Sequence, residues 1–360
     1  MSSRVPRASG YFRTGYGQEL ALLQTRTERV CLVAFIAALL VYPFVASAFY
    51  LDLATQVFLA SIGSLSLMLL TGYAGQISLG HAGLLAAGAF TAGILFKEFQ
   101  APIIVTLPAA ALVGAVMGVI FGLPSLRLRG LYLAVSTLAL HFIVTYAGGE
   151  YETKRGFSTG ITIDPPVVAG FTLYGGLAWY FILLAAAAAT LLTCLNLLRS
   201  RTGRAWRAIR AHETVAAALG INVAGSKLLA FVISSAMAAV AGALFAYYRS
   251  FVSIEAFSLF LSIQYVAMII IGGMGSLLGA ILGAVFVTIF PYAIEAILLK
   301  LPNAQSYASS LFAVNYAAFG AVMIAFLIFE PLGLVGIWRR IQSYFLLWPF
   351  RHKPVAGQGR

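Results

Sequence analysis

Residues 177–198 read LAWYFILLAAAAATLLTCLNLL, a run that carries no charge and is apolar all round. A hydrocarbon core about 30 Å thick takes roughly 20 helical residues to cross, and this run has that length. A transmembrane barrel would instead show alternating segments of about 10 residues. The stretch therefore reads as a membrane-spanning helix. Similar runs recur through a chain that is 61% hydrophobic and 9% charged, with a mean hydropathy of +0.94, too little polar surface to cover a soluble domain. The expected fold class is an all-α, polytopic transmembrane helical bundle of about ten spans. Their predicted positions are 30–50, 53–72, 76–96, 102–123, 131–148, 173–198, 227–248, 257–273, 275–298 and 309–330.

The net charge of +12 does not mark a nucleic-acid binder, because the basic residues flank apolar spans in short groups instead of covering one face. With a cytoplasmic amino terminus, 18 of the 23 lysines and arginines fall on the inner side. The outer loops hold only Lys97, Lys154, Arg155, Arg249 and Lys300. That division predicts a cytoplasmic amino-terminal segment (1–29), a transmembrane domain (30–330) that includes the loop 199–226, and a cytoplasmic carboxy-terminal tail (331–360). The polar residues 1–29 precede a run without a small-residue cleavage site, which argues against a removed signal peptide. Cys31 and Cys194 both lie in predicted spans and read as small apolar residues.

Two loops are long. The outer one, 149–172, is mixed in charge and includes Pro165 and Pro166, which prevent continuous helix. The inner one, 199–226, is basic. Its Trp206, Ile209, Val215, Ala216 and Leu219 recur at intervals near three and four, predicting a short amphipathic helix broken at Gly220. GINVAGSK (220–227) is not a phosphate-binding loop, since Ser226 stands where the lysine must follow the glycine. A shift of 195 residues superposes Gly80, Gly88 and Ala89 on Gly275, Gly283 and Ala284, a weak hint of an internal repeat.

The stretch GYAGQISLGHAGLLAAGAF (72–90) places five glycines, a glutamine, a serine and a histidine where a span belongs. On a helix, Gln76, Gly80, Gly83 and Ala87 share one face, and Ser78, His81, Leu85 and Gly88 a neighbouring one. Small residues there admit close backbone approach, so Gly80, Gly83 and Gly88, with Gly275, Gly279 and Gly283 later, are expected at helix contacts. Gly72 and Gly75 bracket Tyr73 and can open the backbone, which is tolerable only inside protein or beside a water-filled path. Other membrane-depth polar groups are Ser136, Thr137, His141, Ser234, Ser235, Gln264 and Tyr265. His81 and His141 read as interhelical residues, and no metal-ligand or catalytic pattern is present. Asp52, Glu255, Glu295 and Glu330 all fall near span ends, so no proton wire is expected.

With LRLRGLYLAVSTLA (126–139), the block 203–246, IGGMGSLLGAILGA (271–284) and EPLGLVGIWRRIQSYFLLWPF (330–350), the 72–90 stretch resembles the M-type (LivM-like) permease subunits of bacterial branched-chain amino acid ABC importers. The resemblance implies a bacterial inner-membrane protein that pairs with a second, homologous permease in a heterodimer. It also implies two cytoplasmic ATPase subunits carrying ATP and Mg, and a periplasmic substrate-binding protein. It implies no cofactor, metal or catalytic residue on this chain, and contacts with membrane lipid but not nucleic acid. It makes 199–226 the ATPase-coupling segment, with Arg207, Arg210, Glu213, Ala216 and Gly220 as docking residues. Only Ala216 and Gly220 match the general importer signature E-A-A-x-x-x-G. For solute passage the nominated residues are Gln76, Ser78, His81, Ser136, Thr137 and Gln264, because a zwitterion needs polar partners. Urea, short amides or another small organic solute is an alternative cargo, and a stand-alone channel or secondary transporter an alternative class.

Overall fold

The computed structural model describes residues 26–128, 130–156, 160–168, 171–173, 175–298 and 311–347. Most of the expected cytoplasmic segment 1–29, and the end of the tail after 347, lie outside the described residues. The helices are α1 (Arg26–Val45), α2 (Ala48–Leu67, continued by a π-helical turn Met68–Tyr73), α3 (His81–Phe99), α4 (Ile103–Ser125), α5 (Leu131–Arg155) and α6 (Gly176–Arg199). There follow α7 (Arg201–Ala211), α8 (Glu213–Ala218), α9 (Val223–Arg249), α10 (Leu259–Gly272), α11 (Leu277–Leu298), α12 (Leu311–Phe329) and α13 (Gly333–Leu347). Short strands β1 (Ile161–Thr162) and β4 (Phe251–Val252) pair antiparallel, as do β2 (Val167–Val168) and β3 (Phe171–Thr172).

Among the described residues, seven helices are long and apolar enough to cross a membrane; an eighth span results if Tyr316–Phe329 and Gly333–Tyr344, joined at a 51° bend, are one. The apolar helices Arg29–Val45 and Leu259–Gly272 are shorter. At 1.5 Å per residue α10 is only about 21 Å long, less than the hydrocarbon thickness. The chain is a multi-pass helical membrane bundle.

Lipid is as apolar as leucine, so membrane helices are held by close packing instead of burial from water. α9 is the centre of this packing and touches α2, α3, α4 and α7. Along α4, Gly114, Gly118 and Gly122 recur every four residues against Ser235, Val232 and Phe231 of α9. A Cβ on Gly88 of α3 would overlap the Ala239 carbonyl, and one on Gly242 of α9 the Leu85 carbonyl. Gly83 faces the His141 Cα of α5 at 2.8 Å from where its Cβ would stand. Gly279 and Gly283 do the same between α11 and α10, against Gly273 and Met268. The 195-residue shift thus maps Gly88 onto Gly283, each pressed on a neighbouring helix's carbonyl.

Three features differ from the sequence expectations, and the tail carries a helix that was not predicted. The third span starts at His81, not 76, because the π turn and Gly75, at φ +72°, keep 74–80 out of helix. Gln76 and Gly80 therefore share no helix face with Gly83 and Ala87. The outer loop expected from 149 begins at Gly156, since α5 runs to Arg155 with Lys154 paired to Glu150 and Arg155 to Glu98, both at 2.9 Å. The segment 199–226 forms two helices meeting at His212 instead of one. The tail 331–360 contains α13, whose Val335 is buried.

The packing makes a contrast testable. Gly88→Val should lower the thermal unfolding midpoint in detergent, by a cost at or above the roughly 1–3 kcal/mol of ordinary overpacking. Gly149→Val, where a Cβ meets nothing within 4 Å, should leave it unchanged.

Candidate functional site

α7 and α8 lie on the face of the bundle where α2 ends and α3, α9 and α11 begin. α7 is amphipathic: Gly203, Trp206 and Ile209 are buried while its arginines alternate with them. The Trp206 indole N–H donates to the Ser226 carbonyl at 2.8 Å, tying α7 to the start of α9. Arg207 donates to the Leu198 carbonyl at 3.0 Å, capping the last turn of α6. Only Ala216 of α8 is buried; Val215 and Leu219 are 54% and 75% exposed. Those two had been expected to continue the buried face of Trp206 and Ile209. The break at His212 rotates them away from it. Gly220, at φ +82° with open space around it, turns the chain into α9.

Two side chains carry this segment inward. Arg210 donates to the Gly72 carbonyl at the end of the π turn, and its guanidinium sits where a Cβ on Gly275 would be. Gly275 has φ +87°, so both space and backbone conformation select glycine there. One arginine thus touches the loops preceding α3 and α11. Glu213, at the start of α8, pairs with Lys227 at 2.9 Å, with side-chain exposures of 27% and 10%. The Lys227 carbonyl in turn accepts from the Gln76 amide at 3.2 Å.

The loop 74–80 is held mainly by side chains. Thr71 donates to the Gln76 carbonyl at 2.9 Å. Thr137 of α5 accepts from Leu79 N–H at 2.9 Å, and Ser262 of α10 accepts from Ala82 N–H at the same distance. These satisfy amides that the start of α3 leaves without helical partners. The His81 ring nitrogen Nε2 donates to the Gly63 carbonyl at 3.0 Å. Ser78 is buried, and its hydroxyl has no partner among the described residues.

Of the residues nominated for passage, Gln76, Ser78, His81, Ser136 and Thr137 therefore gather around the start of α3. All but the half-buried Ser136 are buried, and none of the five lines the cavity that holds Gln264. Gln264 stands apart, on the wall of a cavity of about 280 Å³ between α2, α9, α10 and α11, near the opposite face. Sequence reasoning missed Gly72 and Lys227 as contacts of the inner segment, the α4 glycine row, and this cavity. The spacing of four in Gly114, Gly118 and Gly122 was the available signal for the second. Among the described residues no group of three or more His, Cys, Asp or Glu is placed to hold a metal.

The Glu213–Lys227 pair makes a thermodynamic cycle informative. Glu213→Gln leaves a nearly buried ammonium short of its anion; for a fully buried pair that costs about 3–5 kcal/mol, and the partial exposure of Glu213 reduces it. Adding Lys227→Met should recover part of the lost unfolding free energy in detergent. Strictly additive losses would show that the two groups are not coupled.

Residues 49–329 match the family described as the permease component of the branched-chain amino acid transport system. The high-affinity branched-chain amino acid transport permease LivM of Salmonella typhimurium is 31% identical over 88% of this chain and 76% of its own. A probable LivH permease of Methanocaldococcus jannaschii is 28% identical over 71% of this chain and 82% of its own. The autoinducer 2 import permease LsrC of Salmonella paratyphi A is 25% identical over 79% and 82%. No solved structure matches the chain. By the extent of the family match and the likeness to LivM, the chain belongs to the permease component family of the branched-chain amino acid transport systems.

Proposed function

We propose that the chain is one permease of a bacterial inner-membrane, ATP-driven, binding-protein-dependent importer of branched-chain amino acids. It forms half of the solute path beside a second, homologous permease. Likeness to both a LivM and a LivH protein supports the pairing of two related permeases. Two ATPase subunits, carrying ATP and Mg, dock on α7 and α8 from the cytoplasm, and a periplasmic protein delivers the solute to the opposite face. In this orientation both termini are cytoplasmic.

The observation that carries the reading is the double role of the α7–α8 segment. Outward it presents Val215 and Leu219, apolar groups for a partner groove. Inward it holds Arg210 against Gly72 and Gly275, and Glu213 against Lys227. A push on this segment is thereby applied to the loops before α3 and α11. The likeness to LsrC favours a second reading, in which the same machine carries a different small organic solute; urea and short amides belong to that class.

Reconstitution tests both. Labelled leucine uptake into liposomes is expected only with this chain, its partner permease, the ATPases, the binding protein and ATP together, and should vanish when any one is omitted. Solute movement by the chain alone would contradict the account, and competition by urea but not leucine would favour the second cargo.

A further inference from the structure

The cavity beside Gln264 has a built chemistry that the inner segment does not use. Its floor is apolar and buried: Leu59 and Ala60 of α2, Leu85 of α3, Ala241 of α9 and Met268 of α10. Its rim is polar. Arg249, in the last turn of α9, is exposed, and its guanidinium lies 5.3 Å from the centre of the Tyr248 ring. The Tyr248 hydroxyl donates to Asp52 of α2, and Gln56 donates to the other Asp52 oxygen at 2.6 Å. Tyr292 of α11 donates to the Gln56 carbonyl oxygen at 3.3 Å. One positive and one negative charge thus meet at Tyr248, above a greasy pit.

Two further polar groups face the same space with nothing to bond. The Gln264 amide and the Thr288 hydroxyl line the cavity and have no hydrogen-bond partner among the described residues. At about 280 Å³ the cavity falls just below the roughly 300–1,000 Å³ typical of drug-sized ligands, so its occupant is small.

We infer that this cavity is a binding site for one small zwitterion with an aliphatic side chain, an α-amino acid. The carboxylate lies on Arg249. The ammonium lies on the Tyr248 hydroxyl oxygen, whose proton goes to Asp52, and on the Gln56 carbonyl oxygen, which keeps a second acceptor site beside the one Tyr292 uses, under the field of the Asp52 charge. The aliphatic side chain fills the floor between Leu59 and Met268. The identity of the zwitterion rests on the transport reading above, in which the cavity opens toward the periplasmic side; the charge and shape of the site do not.

The test uses the full-length chain in lipid nanodiscs, with binding followed by saturation-transfer NMR. The probes are leucine, 4-methylpentanoate, which lacks the ammonium, and 3-methylbutylamine, which lacks the carboxylate. Arg249→Gln should weaken leucine and 4-methylpentanoate about tenfold, the loss of one charged hydrogen bond, and leave the amine within about twofold. Asp52→Asn should do the reverse, weakening leucine and the amine but sparing the acid. Arg249→Lys, which keeps the charge, should retain most of the leucine affinity. No leucine binding by the unchanged chain, or equal losses for all three probes, overturns the site. Leucine import by the assembled transporter that is untouched by both variants would remove this site while leaving the transport reading standing. Import of some other solute with no leucine binding would remove the amino-acid cargo and the site together.

Discussion

A backbone amide or carbonyl that loses its helical partner inside a membrane must find another within the protein, because lipid offers none. This chain breaks helix twice near one face of the bundle, at 74–80 and at 273–276. Much of its buried polar chemistry serves the first break. Thr137 and Ser262 take up amides at the start of α3. Gln76 takes a carbonyl of α9, and His81 one of α2. Arg210 takes the Gly72 carbonyl from the α7–α8 segment, so that segment is itself one of the partners that make the break tolerable. In the coupling proposed above, load-carrying and satisfaction of the backbone are the same contact.

That dual use explains why the polar residues of one stretch, 72–90, invite a solute-path reading and yet lie away from the cavity beside Gln264. A polar side chain in a membrane span is costly enough to need a purpose, but supporting a broken helix is purpose enough. The polar groups left facing empty space, Gln264 and Thr288, lie toward the other face, where α2, α9, α10 and α11 part. The two ends of the molecule differ: polar side chains that hold a broken helix on the side of α7, an apolar pit with a charged rim on the side of β1 and β4.

Much of the architecture was legible in the sequence because lipid removes ambiguity. Uninterrupted apolar runs such as 177–198 leave helix as the one economical structure, and the described parts of the ten runs are mostly helical, though seven of the described helices, or eight with the bent pair, are long enough to span. The run 72–90 also announced its own irregularity, since Gly72 and Gly75 flank Tyr73. The exact length of the irregularity was hidden, because the π turn at Met68–Tyr73 depends on Gly275 and Arg210, which are far away in sequence. Within 199–226, Trp206 and Ile209 gave away the buried face. The kink at His212, which carries no glycine or proline, gave no warning and swung Val215 and Leu219 outward. Arg249 was legible only as a charge on the outer side; its place above the pit needs α2 and α11 alongside it.

The central claim is that Arg210 passes movement of the α7–α8 segment to the loops before α3 and α11. The most direct measurement is the number of ATP molecules hydrolysed per solute imported by the assembled transporter carrying Arg210→Ala. The account predicts that hydrolysis persists while the ratio rises several-fold, because the ATPases still dock on Val215 and Leu219 but their motion no longer reaches Gly72 and Gly275. A ratio equal to that of the unchanged transporter would contradict it.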